Sequence, residues 1–212
     1  MLLGKQGAGK GTQAGALADH YGVVHLSTGE IFRAQATLGT AFGLEAKRYM
    51  DGGELVPDEI VVGVIEECLA PGGPLQDGFV LDGFPRTLPQ AQELDRVLDG
   101  RPLNLAINLD VPREIVLERL SSRRVCRDCG TNYTAVVADD RKMWICDVCG
   151  GDVEHRADDT PDAVNRRLDL YESQTAPLIT HYSKMGLLTV VNGVGHPDYV
   201  FKRVCDAVDE RR

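Results

Sequence analysis

Five short apolar runs punctuate the chain, and each ends in turn chemistry. Leu2-Leu3 leads into a glycine loop, Val23-Val24-His25-Leu26 into Ser27-Thr28-Gly29, and Phe79-Val80-Leu81 into Asp82-Gly83. The segment from Leu103 to Leu109 leads into Asp110, and that from Leu187 to Val191 into Asn192-Gly193. Runs of this length between turn residues predict buried strands. Between them, helical patterns extend over about 10–21, 28–38, 40–51, 57–70, 87–99, 112–123, 160–184 and 197–210. Strands alternating with helices predict an α/β fold, a five-stranded parallel sheet covered on both faces.

Two stretches interrupt the alternation. About 50 residues separate the second and third strands, more than one crossover helix needs. The segment 122–159 enters between the fourth and fifth strands and carries few large apolar residues. A module that small has no core of its own and requires a staple. Thr160-Pro161 places a capping residue before a proline at the first helical position, which marks where the core resumes. No internal repeat or low-complexity tract is visible.

The first strand is short. Only Met1, Leu2 and Leu3 precede the glycine loop, whereas strands usually run about five to six residues. Either the natural start lies a few residues upstream or this strand is a weak one. Adding residues such as Arg-Ile-Val before Leu2 is expected to stabilise the fold, each newly buried Val or Ile contributing roughly 1.5–3 kcal/mol. Paired thermal melts check this, and an equal or lower Tm for the longer chain would mean that the strand is already complete.

Length and composition narrow the class. The chain has 212 residues and 23.1 kDa, which suits one α/β domain or a core with small insertions. Against 23 Lys and Arg stand 32 Asp and Glu, a net charge of −9. This disfavours non-specific nucleic-acid binding, which needs a surplus of cations, but allows a small polyanion if the cations converge on one cleft. No apolar run approaches the roughly 18–20 residues of a membrane span. The N-terminus has no signal-peptide h-region. The expectation is a soluble cytoplasmic protein with neither nucleic-acid nor membrane partners.

Gly4-Lys5-Gln6-Gly7-Ala8-Gly9-Lys10-Gly11-Thr12 follows the first strand and opens a helix. Glycines let backbone amides turn inward around phosphate oxygens, and the helix N-terminus adds partial positive charge. In such a loop Lys10 reaches the β- and γ-phosphates and the Thr12 hydroxyl lies near Mg²⁺. The common motif has Ser or Thr directly after the lysine; here Gly11 intervenes. Further candidates stand at the ends of the second and third strands, where open α/β sheets bind ligands. Arg33 and Arg86 are cations able to fork onto one phosphate. Gln90 offers an amide that both donates and accepts, as recognition of a base edge requires. Thr28 reads equally well as a helix cap, and Asp82 as a turn aspartate.

Four of the six cysteines form Cys126-x2-Cys129-x16-Cys146-x2-Cys149, while Cys68 and Cys205 stand alone. Two such knuckles satisfy one structural Zn²⁺ and leave no position for substrate. A nucleic-acid-binding ribbon is the other reading of the pattern. Residues 126–155 hold Arg127, Arg141 and Lys142 against Asp128, Asp139, Asp140, Asp147, Asp152 and Glu154, which disfavours it. His155 reads as polar rather than as a ligand.

The loop, the block Asp82-Gly83-Phe84-Pro85-Arg86 and the cysteine spacing resemble the adenylate kinases, over essentially the whole chain. Gln6 stands where that family's GxPGxGKGT usually has proline. The resemblance implies a P-loop NTPase core over 1–26, 57–121 and 160–212, an AMP-binding domain over 27–56 and a zinc lid over 122–159. It implies ATP contacts at Gly7, Ala8, Gly9, Lys10, Gly11, Thr12, Arg119, Arg123, Asn132, Tyr133 and Gly195. It implies AMP contacts at Thr28, Arg33, Glu54, Leu55, Val56, Gly83, Phe84, Pro85, Arg86, Gln90, Arg156 and Arg167. Lys10, Arg86, Arg123, Arg156 and Arg167 would be the catalytic cations. Asp82 would hold Mg²⁺ through water. Asp158 and Asp159 match an acidic pair that either meets these arginines or simply precedes the helix cap. The implied activity is reversible phosphoryl transfer from Mg-ATP to AMP, giving two ADP, by a monomer with one Zn²⁺. A UMP or CMP kinase and a nucleotide-binding regulator without catalysis are the alternatives.

Overall fold

The computed structural model describes residues 1–211 except Pro71, Gln76, Asp99, Pro102 and the segment 135–143. Asp99 of the expected helix 87–99, and Asp139, Asp140, Arg141 and Lys142 of the insertion, lie outside the described residues.

The chain runs β1 (Leu2–Leu3), α1 (Lys10–Tyr21), β2 (Val24–Ser27), α2 (Thr28–Thr37), α3 (Ala41–Asp51), α4 (Asp58–Leu69), β3 (Phe79–Asp82), α5 (Leu88–Leu98), β4 (Ala106–Asp110) and α6 (Arg113–Ser122). A small sheet follows, of β5 (Arg123–Cys126), β6 (Asn132–Thr134), β7 (Trp144–Ile145) and β8 (Asp152–His155). The chain then returns through α7 (Pro161–Leu170), a π-helical turn (Tyr171–Thr175), α8 (Pro177–Lys184), β9 (Leu188–Asn192) and α9 (Pro197–Asp209).

The main sheet is parallel, in the order β2-β3-β1-β4-β9. The chain crosses from β1 to the edge strand β2, returns to β3 beside β1 and then passes to β4 and β9 on the other side, so the carboxyl ends of β1 and β3 open onto a crevice where ligands bind in such sheets. Alternating side chains feed two cores. Leu3, Leu26, Leu81 and Ala106 join Ile65, Phe84, Leu94 and Leu178 on one face. Leu2, Val80, Ile107 and Leu109 join Leu17, Val116, Val164 and Val204 on the other. Both faces are covered, as the near-continuous apolar strands require. The α-amino group of Met1 donates to the Leu105 carbonyl at 2.8 Å, and burial pushes its pKa down to about 5.

The long stretch between β2 and β3 is the helical pair α2–α3 followed by α4. Close packing of the pair needs Gly43, since a Cβ there would lie 2.1 Å from the Gln35 carbonyl carbon. Thr40 caps α3 by accepting from the Gly43 amide at 3.1 Å. Thr160 likewise caps α7, accepting from Ala163 at 3.3 Å, with Pro161 beside it as expected.

Three expectations need correction. The helix expected over 160–184 is two helices joined by the π turn. Pro177 has no amide to donate and its ring crowds the preceding turn, and the Ala176 amide bonds to the Tyr171 carbonyl five residues back at 2.7 Å. The strand expected from Leu103 begins at Ala106, because its neighbours supply ladder partners only from Leu2 and Leu188 onward. The insertion holds an antiparallel sheet, in the order β6-β5-β8-β7, which its weakly alternating sequence did not announce. Among the described residues no helix is long and apolar enough to cross a membrane.

Candidate active site

β1 delivers the chain to the glycine loop at the centre of the sheet. Gly7 adopts φ +79°, and a Cβ there would press on Leu120 Cγ at 2.9 Å, so the loop packs against α6 as glycine alone permits. Gly9 precedes α1 without a side chain to cap it, which leaves first-turn amides for an anion. Lys10 Nζ folds back onto the loop, donating to the carbonyls of Gly4 at 2.8 Å and Lys5 at 3.0 Å. Burial pushes the Lys10 pKa down to about 8; Asp82 opposes this, while Arg86 and Arg123 reinforce it. The Asp82 carboxylate stands at the end of β3, with Oδ2 3.3 Å from where a Cβ of Gly11 would lie and 4.0 Å from His25 Nε2. A hard-oxygen donor beside a phosphate loop, in a cleft that Thr12 also lines, fits a Mg²⁺ held with a nucleotide.

The ends of β2 and β3 carry the next group. Thr28 Oγ1 donates to the Gly83 carbonyl at 3.0 Å, tying the two strand ends together. Arg86 Nε donates to the same carbonyl at 2.8 Å, and the Arg86 carbonyl accepts from Thr175 Oγ1 at 2.9 Å. Burial pushes the Arg33 guanidinium down to about 9 and also lowers that of Arg86. Glu54 pairs with Arg166 at 3.2 Å, and Leu55 and Val56 line the cleft beside it.

The arginines flanking the insertion converge here. Arg123 grips Asp159 through Nε at 2.7 Å and Nη2 at 2.6 Å. Arg156 Nε and Arg167 Nη2 reach Asp158 at 2.7 and 2.8 Å. Arg167 also donates to the Met50 carbonyl at 2.5 Å. The Asp159 side chain is fully buried and accepts a further bond from Gln6 Nε2 at 3.0 Å. Burial alone would raise the Asp158 pKa, but Arg156, Arg167 and Arg33 hold it well below the usual carboxylate range. The acidic pair therefore meets the arginines and precedes the Thr160 cap as well. Arg119 bridges the loop to the far rim, donating to Ala8 at 3.3 Å and Gly193 at 3.0 Å.

In the small sheet the four cysteine Sγ atoms lie within 4.8 Å of one another. Cys126 and Cys149 are 3.4 Å apart, and Cys129 and Cys146 are 3.5 Å apart. Four sulfurs about 2.3 Å from one ion stand about 3.8 Å apart, so the cluster fits a tetrahedral metal and not a disulfide. The two knuckles repeat each other: Gly130 donates to Cys126 at 3.0 Å and Gly150 to Cys146 at 2.9 Å. His155 lies outside the cluster, beside the Arg156 carbonyl. Asn132 and Tyr133 line the cleft, but the Tyr133 hydroxyl is turned to Cys146 Sγ at 3.2 Å and to Asp147.

The glycine loop, the ends of β2 and β3, the converging arginines and Asn132 and Tyr133 of the small sheet border a cleft of about 580 Å³, the size of a small-molecule site. Comparison with known proteins decides the family: a model described as adenylate kinase matches residues 2–187. The chain belongs to the adenylate kinase family. It is 46% identical over 212 residues to the adenylate kinase of Carboxydothermus hydrogenoformans, covering 99% of each chain. It is 44% identical over 213 residues to that of Thermodesulfovibrio yellowstonii, covering 100% of this chain and 99% of the relative. To that of Methanosarcina acetivorans it is 47% identical over 204 residues, covering 95% and 94%.

The cleft of this adenylate kinase is lined by every nucleotide-contact residue expected from sequence except Phe84, and Gly195 closes its far rim. Phe84 is 1% exposed and packs in the core, because the turn sends its ring inward while Gly83, Pro85 and Arg86 face the cleft. Sequence reasoning missed Thr175 and Asp58. Thr175 reaches Arg86 only through the π turn, which Pro177 signals. Asp58, which accepts from Gln90 Nε2 at 2.6 Å, reads as an ordinary first-turn acid of α4, with nothing local to mark that partner.

Proposed function

We propose that this adenylate kinase carries the γ-phosphoryl group of ATP to AMP, giving two ADP, with ATP over the glycine loop and AMP over the ends of β2 and β3. The observation that carries the reading is convergence. In a chain of net charge −9, Lys10, Arg33, Arg86, Arg119, Arg123, Arg156 and Arg167 line the same cleft. Phosphoryl transfer between two polyanions needs positioning and charge neutralisation rather than a strong base. In this reading Lys10 and the loop amides hold the ATP phosphates. Arg33 and Arg86 hold the AMP phosphate, and Arg123, Arg156 and Arg167 surround the transferring group. Mg²⁺ bound with ATP neutralises the β- and γ-oxygens; Thr12 and, through water, Asp82 would hold it.

Residues 27–56 act as the AMP-binding domain and 122–159 as a lid that closes over ATP and excludes water, the competing acceptor. The enzyme is read as a cytoplasmic monomer whose partners are ATP, AMP and ADP. A coupled assay with ATP and each of AMP, UMP and CMP tests the reading. Formation of ADP with AMP as the preferred acceptor supports it. A preference for UMP or CMP, or no turnover, overturns it.

The Lys10 ammonium is the form that binds phosphate, and its folded pKa lies below the usual lysine value. For the free enzyme, kcat/KM for ATP is therefore expected to hold at neutral pH and to fall as pH rises through about 8. Bound polyphosphate favours the ammonium, so the alkaline limb of kcat should lie higher. A pH–rate profile at saturating AMP checks this; coincident limbs would count against the assignment of Lys10.

The cysteine cluster is read as one structural Zn²⁺ per chain. Metal analysis should find that stoichiometry. Stripping the metal is expected to lower Tm while activity at low temperature largely survives, because four thiolates leave no position for substrate. Activity lost in proportion to metal, with the fold intact, would point to a catalytic ion instead.

A further inference from the structure

Gln90 lines the cleft and is 2% exposed, and its amide is held at both ends. Nε2 donates to Asp58 Oδ1 at 2.6 Å, and Oε1 accepts from the Arg86 backbone amide at 2.7 Å. The frame around it is closed. Thr87 Oγ1 donates to the other Asp58 oxygen at 3.0 Å and accepts from the Gln90 backbone amide at 3.2 Å. Asp58 itself starts α4 directly after Pro57.

An amide has two N–H donors and two acceptor lone pairs. One of each is spent on the protein, which leaves one donor and one acceptor side by side. Their order is locked. Turning the amide over would set Oε1 against the Asp58 carboxylate and Nε2 against the Arg86 amide, two repulsive contacts in place of two hydrogen bonds. A base edge must therefore match this polarity. Adenine presents a ring-nitrogen acceptor next to an exocyclic amino donor. Hypoxanthine has the same outline with the order reversed, a ring N–H next to a carbonyl.

We propose that Asp58 is the specificity-determining positioning residue of the monophosphate site: it fixes the Gln90 amide so that the site accepts a 6-aminopurine edge and rejects a 6-oxopurine edge. This rests on the reading of the cleft as an AMP site. Asp58 acts through Gln90 and need not touch the nucleotide. An aspartate does this more firmly than an asparagine, because a carboxylate only accepts, whereas a side-chain amide can also donate and so removes one of the two contacts that fix Gln90, leaving the Arg86 amide as the other.

The test compares AMP with inosine 5′-monophosphate, as acceptors in the coupled assay and as ligands in equilibrium binding without ATP. The parent should strongly prefer AMP in both. In Asp58→Asn the ratio of the two kcat/KM values is expected to narrow by about tenfold or more, the scale of one hydrogen bond to a charged group. The change should fall mainly on KM and on the binding ratio, with kcat for AMP moving less. An equal loss for both nucleotides, with the ratio unchanged, would assign Asp58 to helix stability alone and overturn the proposal. The parent provides a check independent of how the variant folds: equal binding of the two monophosphates overturns the polarity lock outright. A parent that makes no ADP from AMP overturns the function proposed above, whereas an active, selective parent with an unaltered ratio in the variant overturns only the role of Asp58.

Discussion

Lys10→Met is expected to lower kcat by about 10²–10³-fold or more, the scale on which removing one preorganised charge contact slows a reaction. Lys10 is half-buried against the glycine loop, with its ammonium on the Gly4 and Lys5 carbonyls and Asp82, Arg86 and Arg123 as charged neighbours. Methionine keeps the length and the packing but cannot follow the charge that develops on the transferring phosphoryl group. Steady-state kinetics with AMP as acceptor measure the loss, and a thermal melt guards against unfolding. Near-parental kcat would mean that the loop does not hold the reacting phosphates.

Arg123→Met should cost at least about 10²-fold in kcat, since arginines on a transferring phosphoryl group are worth about 10³–10⁵. It should also destabilise the fold. Arg123 is the bidentate partner of Asp159, whose side chain is fully buried. Removing one member of such a pair costs about 3 kcal/mol or more, softened here because Gln6 and Arg167 still reach that carboxylate. The two effects separate in the double variant Arg123→Met/Asp159→Asn. Neutralising the buried carboxylate should recover much of the lost Tm and none of the turnover. Turnover that returns together with Tm would make Arg123 a structural residue only.

Much of this site was legible as spacing. A phosphate loop is local: glycines, a lysine and a helix start within nine residues create amides that face one point, so Gly4 to Thr12 could be read as chemistry. The cysteine quartet was legible for the same reason, since a knuckle is two thiolates brought together by one turn. The arginines were different. Arg119, Arg123, Arg156 and Arg167 have no motif of their own, and they stood out only through the resemblance to adenylate kinases. Phe84 shows what a motif match leaves to the fold: it lies inside the matching block, yet its ring fills the core.

Periodicity placed the strands and most helices because burial on both faces leaves apolar runs, and burial on one face leaves a helical stripe. It failed where a backbone shift leaves the stripe unbroken. A π turn adds one residue to a helix without exposing its apolar face, so α7 and α8 looked continuous, and the extra residue is what carries Thr175 to Arg86.

By itself the sequence determined the α/β class, the phosphate loop, the insertion with its four paired cysteines and a surplus of negative charge that makes any cationic cleft conspicuous. These are properties of residue type at short range. Only the tertiary structure decided which charges meet. Asp159 lies 36 residues from Arg123 and 153 from Gln6, and Asp58 lies 32 from Gln90. Pairs so far apart in the chain are chosen by how the sheet and helices pack, because a buried carboxylate is tolerated only where the fold brings donors to it.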